Sequence, residues 1–235
     1  MQGDILKLSI IITCFNEKNT ILKSIDEAKK VSVEKEIIVI DNASTDGSRE
    51  LLSDLKDSGI KIVFQPKNFG YGQSVKTGAE LSRGDFIYVH YSDLEYDIEC
   101  VYRMLAIAEK DSLDVVFGSR LYENKKSPIA LIKERPYYAG TIATTFMINL
   151  FYGKHFTDII GTRLYKASSF KKLDIESTGM SFDFEVVSLV CKKGLKMCEV
   201  PVKYKPRSTR EGKKIKAMDI IPAILTILKL KFLPK

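Results

Sequence analysis

The chain has 235 residues, enough for one sizeable domain whose core needs no disulfide or metal staple. With 45% hydrophobic and 29% charged residues, it fits neither a disordered chain nor a polytopic membrane protein. The net charge of +7 is unevenly placed: Lys203 to Lys235 holds ten Lys or Arg against Glu211 and Asp219, so the first 202 residues sum to 27 − 28 = −1. Such a basic tail can meet an anionic membrane face, a phosphorylated substrate or nucleic acid. No reading-head motif or repeated basic–aromatic pattern accompanies it, so no nucleic-acid partner is expected. Cys14, Cys100, Cys191 and Cys198 form no CxxC pair, and only His90 and His155 could assist, so no structural zinc is expected. Free cysteines in apolar stretches and the lack of a basic-then-apolar leading segment point to the cytosolic side.

In chain order, short apolar runs rich in Ile, Val and Phe alternate with amphipathic stretches. Leu8–Cys14, Glu36–Ile40, Lys61–Phe64, Phe86–His90 and Val115–Gly118 read as strands. Between them, Glu17–Lys30, Asp46–Lys56, Gly72–Leu81 and Ile98–Lys110 carry apolar residues at helical spacing, as in Ile21, Ile25 and Ala28. Continuous apolar strands alternating with helices predict an α/β fold, a mainly parallel sheet covered on both faces. No internal repeat or Gly/Ser/Pro linker divides the chain, so a single Rossmann-like domain over residues 1–202 is expected, followed by a basic, amphipathic segment over 203–235.

The second half is less regular. Ala139–Gly153 and Ile220–Leu228 are uncharged runs, both short of the ~20 apolar residues that span a bilayer. The first reads equally as a core helix. The second is flanked by Lys213, Lys214 and Lys216 before it and by Lys229, Lys231 and Lys235 after it, the pattern of an interfacial helix. Peripheral membrane contact is therefore expected, packing of the tail on the domain being the other reading.

In an open parallel sheet, ligands bind beyond the carboxyl ends of the strands. Here those ends carry Thr13-Cys14-Phe15-Asn16-Glu17, Asp41-Asn42-Ala43-Ser44-Thr45-Asp46-Gly47 and Tyr91-Ser92-Asp93-Leu94-Glu95-Tyr96-Asp97. A single acid after a strand is often a helix cap, and Asp46 reads as one. Three polar strand ends on one edge point to a site. The glycines of NFGYGQSVKTG do not have phosphate-loop spacing and read as a tight turn into a helix.

The segments CFNE, IDNASTDGS, NFGYG, SDLEYD and FGSR, continued by TDIIGTRLY, FDFEVV, EVPVKYKPRS and EGKKI, resemble family 2 glycosyltransferases over roughly residues 7 to 231. The branch they resemble contains dolichol- and polyprenyl-phosphate sugar synthases. The resemblance implies a glycosyltransferase A-type fold and inverting displacement at the anomeric carbon of an NDP-sugar. It implies that Thr13, Phe15, Glu17, Asp41 and Ser92 line the nucleotide, with Asp41 accepting a hydrogen bond from base or ribose. The other reading of Glu17 is a first-turn helix acid.

SDLEYD stands where many relatives have the Asp-x-Asp metal motif, and here Tyr91 replaces the first Asp. Asp93 remains as a catalytic and nucleotide-binding residue. On an extended segment Glu95 would point the same way, so the two could share Mg²⁺ or Mn²⁺. Arg120, Arg135, Arg207, Lys213 and Lys214 match the family's acceptor and diphosphate contacts by position, Arg120 also as a catalytic residue; the lysines read equally as a solvated face. A lipid phosphate acceptor needs no strong base, whereas a hydroxyl acceptor does, and Asp158, backed by Asp183 and Glu185, is the candidate. The absence of tryptophan removes the signature of processive polysaccharide synthases.

The leading expectation is transfer of one sugar from a GDP- or UDP-sugar to a polyprenyl phosphate at the cytosolic membrane face, alone, self-associated or with a membrane-protein partner. A transferase for a surface polysaccharide or glycolipid acceptor is the second reading. A non-catalytic nucleotide-sugar-binding subunit, supported only by Tyr91, is the third.

Overall fold

The computed structural model describes residues 8–57, 59–124, 126–136, 138–207 and 220–232. Lys213 and Lys214, two of the expected phosphate contacts, lie outside them. The described residues form a seven-stranded sheet in the order β3-β2-β1-β4-β6-β5-β7. Its strands are β1 (Leu8–Cys14), β2 (Lys35–Asp41), β3 (Ile60–Phe64), β4 (Phe86–Tyr91), β5 (Val115–Ser119), β6 (Arg163–Lys166) and β7 (Met197–Pro201). β1 to β4 are mutually parallel, as are β5 and β7, while β6 runs antiparallel between β4 and β5. The expected mainly parallel α/β sheet is present.

Helices α1 (Ile21–Lys30), α2 (Ser48–Ser53), α3 (Tyr71–Leu81) and α4 (Cys100–Lys110) follow the first four strands. Alternate residues of each strand serve opposite faces: Ile10 and Ile12 join the core beneath α1 and α4, while Ile11 joins the other with Val75, Phe182 and Val186. α1 begins at Ile21, four residues later than the expected Glu17, with Thr20 (φ −126°) as its N-cap and the Thr20 N–H closing a turn on the Glu17 carbonyl. Asp46 does not occupy the N-cap of α2, which is Gly47, but its carboxylate accepts the Ser48 N–H two residues on. The glycine-rich segment turns into α3 as expected. Gly70 has φ 95°, and a Cβ there would lie 2.5 Å from the Thr178 carbonyl oxygen.

The second half adds α5 (Pro128–Glu134), α6 (Tyr138–Tyr152), α7 (Ala167–Phe170), α8 (Phe182–Lys192) and α9 (Ile220–Phe232). α8 lies in the core, and α9 buries Ala223, Ile227 and Leu230 at helical spacing and packs on α8 and α6. The outer side of this layer leaves Phe146 and Leu150 of α6 and Ile221, Leu225 and Phe232 of α9 exposed. Among the described residues no helix is long and apolar enough to cross a membrane.

Candidate active site

The carboxyl ends of β1 and β4, with the residues that follow β5 and β7, the loop that precedes β6 and the residues that lead into and open α8, surround a cleft of about 220 Å³. Thr13, Phe15 and Glu17 line it from the first strand end; Ser92, Asp93 and Glu95 line it from the fourth. Arg120 and Arg207 close it, and Tyr71, Tyr91, Tyr96 and Tyr204 give it an aromatic wall. The Ser92 hydroxyl donates to the Thr13 carbonyl at 2.7 Å, tying the two strand ends together. Left-handed backbones recur at these ends, at Asn16, Ala43 and Leu94 (φ 54°, 61° and 59°). Alanine and leucine rarely adopt that geometry, at about 1 kcal/mol each, and such strain concentrates where a loop serves a site.

Asp93 and Glu95 meet, but not through strand alternation. The chain turns at Leu94, and the Glu95 N–H donates back to Asp93 Oδ1 at 3.1 Å. Glu95 is buried and its oxygens are engaged: Oε2 accepts the Tyr204 hydroxyl at 2.7 Å and Oε1 the Arg207 N–H at 2.8 Å. Glu17 is not a first-turn helix acid. It precedes α1, and its oxygens accept Nη1 and Nη2 of Arg207 at 2.8 and 3.1 Å. Asp93 keeps the more open carboxylate, with side-chain exposure of 24% and Arg207 Nη2 at 3.6 Å. Burial, helped by neighbouring Glu95 and Glu17, pushes its carboxyl up to about 6.

Among the described residues, no group of three or more His, Cys, Asp or Glu side chains is arranged to hold a metal ion. The expected sharing of a cation by Asp93 and Glu95 therefore reduces to Asp93, since Glu95 is committed to Tyr204 and Arg207. One carboxylate remains compatible with Mg²⁺ or Mn²⁺, which commonly takes one or two from protein and the rest from phosphate oxygens and water. Tyr91, in the place of the first motif acid, offers no carboxylate. Its hydroxyl lies 3.0 Å from that of Tyr71, and its ring packs between those of Tyr71 and Tyr96, with centroids 5.8 and 5.5 Å away.

At the other end, Asp158 holds Arg120. Arg120 Nε and Nη2 reach Asp158 Oδ2 and Oδ1 at 2.6 and 2.9 Å, and the Arg120 and Ile160 N–H groups donate to the same carboxylate at 3.1 and 3.0 Å. Burial alone would raise the Asp158 carboxyl, but the guanidinium holds it below the usual range. A carboxylate that accepts four hydrogen bonds and is fully buried has no face left to take a proton from a substrate hydroxyl. The expectation of Asp158 as a base is corrected accordingly: it positions Arg120.

The acids behind Asp158 are also occupied. Asp183 pairs with buried Arg163, and Glu185 accepts the N–H groups of Glu176 and Ser177 at 3.0 and 2.6 Å. Glu199 of β7 fixes the Asp158 loop by accepting the Thr157 and Asp158 N–H groups at 2.8 and 2.9 Å. Gly161 lets that loop abut β5: a Cβ there would fall 1.6 Å from the Gly118 carbonyl oxygen.

Two expected residues lie apart from the cleft. Asp41 is fully buried, with Oδ1 accepting the Ser44 N–H at 3.2 Å and Oδ2 accepting Arg49 Nε at 2.7 Å. Full burial, with Ser44 and Arg49 on its two oxygens, keeps the expected hydrogen bond from base or ribose from reaching Asp41 in this arrangement. Arg135 ends α5 and does not line the cleft. The sequence reading missed Arg163, Arg49 and the aromatic wall. Of that wall, Tyr91 carried a signal as the replacement for the first motif acid, and Tyr204 another, standing three residues before Arg207 in the basic closing segment.

Residues 9–174 match the family described as Glycosyl transferase family 2. The chain is 29% identical over 204 residues to the low-salt glycan biosynthesis hexosyltransferase Agl6 of Haloferax volcanii, covering 85% of this chain and 48% of that protein. It is 24% identical to the undecaprenyl-phosphate mannosyltransferase of Micrococcus luteus, covering 88% of this chain and 87% of that one. The chain thus spans about half the length of Agl6 and less than two thirds of the AglJ glycosyltransferase of Haloferax volcanii, covering 48% and 63% of them. Among solved structures it resembles glucosyl-3-phosphoglycerate synthase of Mycobacterium tuberculosis, crystallised with Mn²⁺, UDP and phosphoglyceric acid. That likeness has a TM-score of 0.71 at 17% identity and covers 98% of this chain and 80% of that one. Mannosyl-3-phosphoglycerate synthase of Rubrobacter xylanophilus is similar at a TM-score of 0.67 and 16% identity, covering 96% of this chain and 72% of that one. At these identities the structural likeness establishes the glycosyltransferase fold.

Proposed function

The chain belongs to glycosyl transferase family 2, and on that footing we propose that it moves a single sugar from a nucleoside diphosphate sugar to the phosphate of a polyprenyl lipid. The observation that carries this reading is the pairing, in one cleft, of an acidic corner (Glu17, Asp93, Glu95) with an arginine locked by its own acid (Arg120 on Asp158). The acidic end suits a donor that arrives with a divalent ion. The arginine end suits an acceptor that is already an anion.

The chemistry follows from that division. An acceptor phosphate oxygen attacks the anomeric carbon as the bond to the donor diphosphate breaks, and the nucleoside diphosphate leaves with inversion. The attacking oxygen is already ionised, so no side chain must remove a proton. Asp158, Asp183 and Glu185 are all engaged by donors of this chain, which supports a phosphate acceptor over a hydroxyl one. The work left to the protein is orientation and charge. With Nε and Nη2 held by Asp158 and Thr141 and the guanidinium over the rings of Tyr138 and Tyr204, Arg120 meets the acceptor phosphate with its charge and its remaining nitrogen, Nη1. Asp93 would hold Mg²⁺ or Mn²⁺, which supplies positive charge to the departing diphosphate. Thr13, Phe15 and Ser92 line the donor.

The exposed Phe146, Leu150, Ile221, Leu225 and Phe232, with Lys229 and Lys231 on α9, support contact with the cytosolic membrane face. The relative named an undecaprenyl-phosphate mannosyltransferase supports the lipid phosphate as well. A small phosphorylated acceptor is the second reading, favoured by the likeness to the phosphoglycerate synthases and equally compatible with Arg120.

The test is release of GDP or UDP from common NDP-sugars with Mg²⁺ or Mn²⁺, with and without a short polyprenyl phosphate, beside Asp93→Ala. Release that depends on the lipid phosphate and disappears in the variant is the expected result. Release driven instead by phosphoglycerate selects the second reading, and no release with any acceptor contradicts both.

A further inference from the structure

The corner where Glu17, Asp93 and Glu95 meet already contains a cation, the guanidinium of Arg207. Among the described residues it makes hydrogen bonds with Glu17 only; Asp93 Oδ2 lies 3.6 Å from Nη2, and Glu95 Oε1 lies 3.8 Å from Nε. Nε itself is buried without a hydrogen-bond partner. The guanidinium is therefore held toward Asp93 and Glu95 by charge rather than by saturated hydrogen bonding. A second cation can compete for such a place.

The backbone around Arg207 delivers it there. Glu95 accepts the Arg207 N–H and the Tyr204 hydroxyl through its carboxylate and the Lys205 N–H through its carbonyl, at 2.8, 2.7 and 2.8 Å. Tyr96 and Tyr204 form a β-bridge. The Tyr204 ring in turn lies 5.2 Å from the Arg120 guanidinium. Residues 204–207 thus form a strap that touches both ends of the cleft.

We propose that Arg207 is the chain's own competitor for the divalent ion, and that the ion's arrival moves the 204–207 strap and uncovers Arg120. This rests on the nucleotide-sugar reading given above. A guanidinium 3.6 Å from Asp93 and a divalent ion on that carboxylate repel each other at contact distance, so one excludes the other. Whatever free energy the strap gains from Arg207 is subtracted from ion binding, and the coupling is reciprocal. Glu95 holds the strap through the Arg207 main-chain N–H and the Tyr204 hydroxyl, so driving the Arg207 guanidinium off Glu17 pulls on the residue whose backbone that carboxylate fixes beside Tyr204.

The experiment is a Mn²⁺ titration of the full chain without nucleotide, followed by the electron paramagnetic resonance of free Mn²⁺. Arg207→Gln is expected to bind Mn²⁺ about tenfold more tightly than the unaltered chain, as removal of a competing state requires. Tyr204→Phe, which loses the hydroxyl bond to Glu95 and keeps the ring, is expected to shift affinity the same way by less. Lys203→Gln removes one positive charge from an exposed position beside the strap and is expected to change nothing. Unchanged or weaker binding by Arg207→Gln overturns the proposal, as does an equal gain in Lys203→Gln, which would make the effect one of net charge. Should Arg207→Gln fail to fold, Tyr204→Phe decides: a gain supports the strap and no gain removes it. A parallel titration with UDP and GDP separates the donor reading. If neither nucleotide binds in any variant, that reading fails, while the Mn²⁺ comparison still judges the strap.

Discussion

The two arginines of the cleft are held in opposite ways. Arg120, with a side chain 5% exposed, is closed on one carboxylate by a two-pronged contact and braced by Thr141 and two tyrosine rings. Arg207, at 18%, is shared among three carboxylates and hydrogen-bonds with one. A one-to-one buried pair is costly to break and fixes geometry, whereas a shared, looser one can exchange partners. The cleft therefore has a rigid end and an adjustable end. That division matches an acceptor phosphate that must be aimed and a donor that brings its own cation.

Stability measurements sharpen the comparison. Replacing Arg120 by Met leaves Asp158 buried and uncompensated, so urea unfolding should show a loss of about 3–5 kcal/mol. Gly161→Ala acts on the same end through the backbone. Its methyl cannot coexist with the Gly118 carbonyl, and a loss of about 3 kcal/mol is expected by the same measurement. Asp93→Asn should instead stabilise. The Asp93 carboxyl rises from 3.8 to about 6 on folding, mainly through burial, so the folded chain loses stability as pH rises through that window and the full cost is present above it. The variant should be more stable by about 2 kcal/mol at pH 7 and no different near pH 4, while losing transfer activity. Arg207→Gln should cost less than the Arg120 variant, about 1–2 kcal/mol, because its two side-chain hydrogen bonds go to one carboxylate, Glu17, while Asp93 and Glu95 stand at 3.6 and 3.8 Å. A loss equal to that of the Arg120 variant would erase the distinction between the two ends.

The rigid and adjustable ends also differ in how far the sequence disclosed them. The first four strands and helices follow directly from continuous apolar runs and helical spacing, the runs being apolar on both faces because Ile10 and Ile12 face one layer and Ile11 the other. α8 escaped that reading because it is buried nearly all round and carries Asp183 and Glu185 inside, where charge ordinarily marks a surface. β6 is four residues long and contains Arg163, so neither length nor pattern marks it as a strand at the centre of a sheet. Thr13, Phe15, Glu17, Ser92, Asp93, Glu95, Arg120 and Arg207 do converge on one cleft, because strand ends and motif order place them there. What their order could not convey is partnership. Asp41 and Asp158 are acids beside strand ends like the others, yet each is taken by an arginine, Arg49 eight residues away and Arg120 at the end of the adjacent strand β5, 38 residues away. Such pairings are set by tertiary distance alone.

The central claim, that one cleft divides into a donor end and a phosphate-gripping end, is tested most directly by steady-state kinetics of Arg120→Lys with NDP-sugar and polyprenyl phosphate varied independently. Lysine keeps the charge and loses the fork. The account predicts a KM for the lipid phosphate raised about tenfold or more, with the donor KM unchanged. A rise confined to the donor KM, or an equal rise in both, would contradict it.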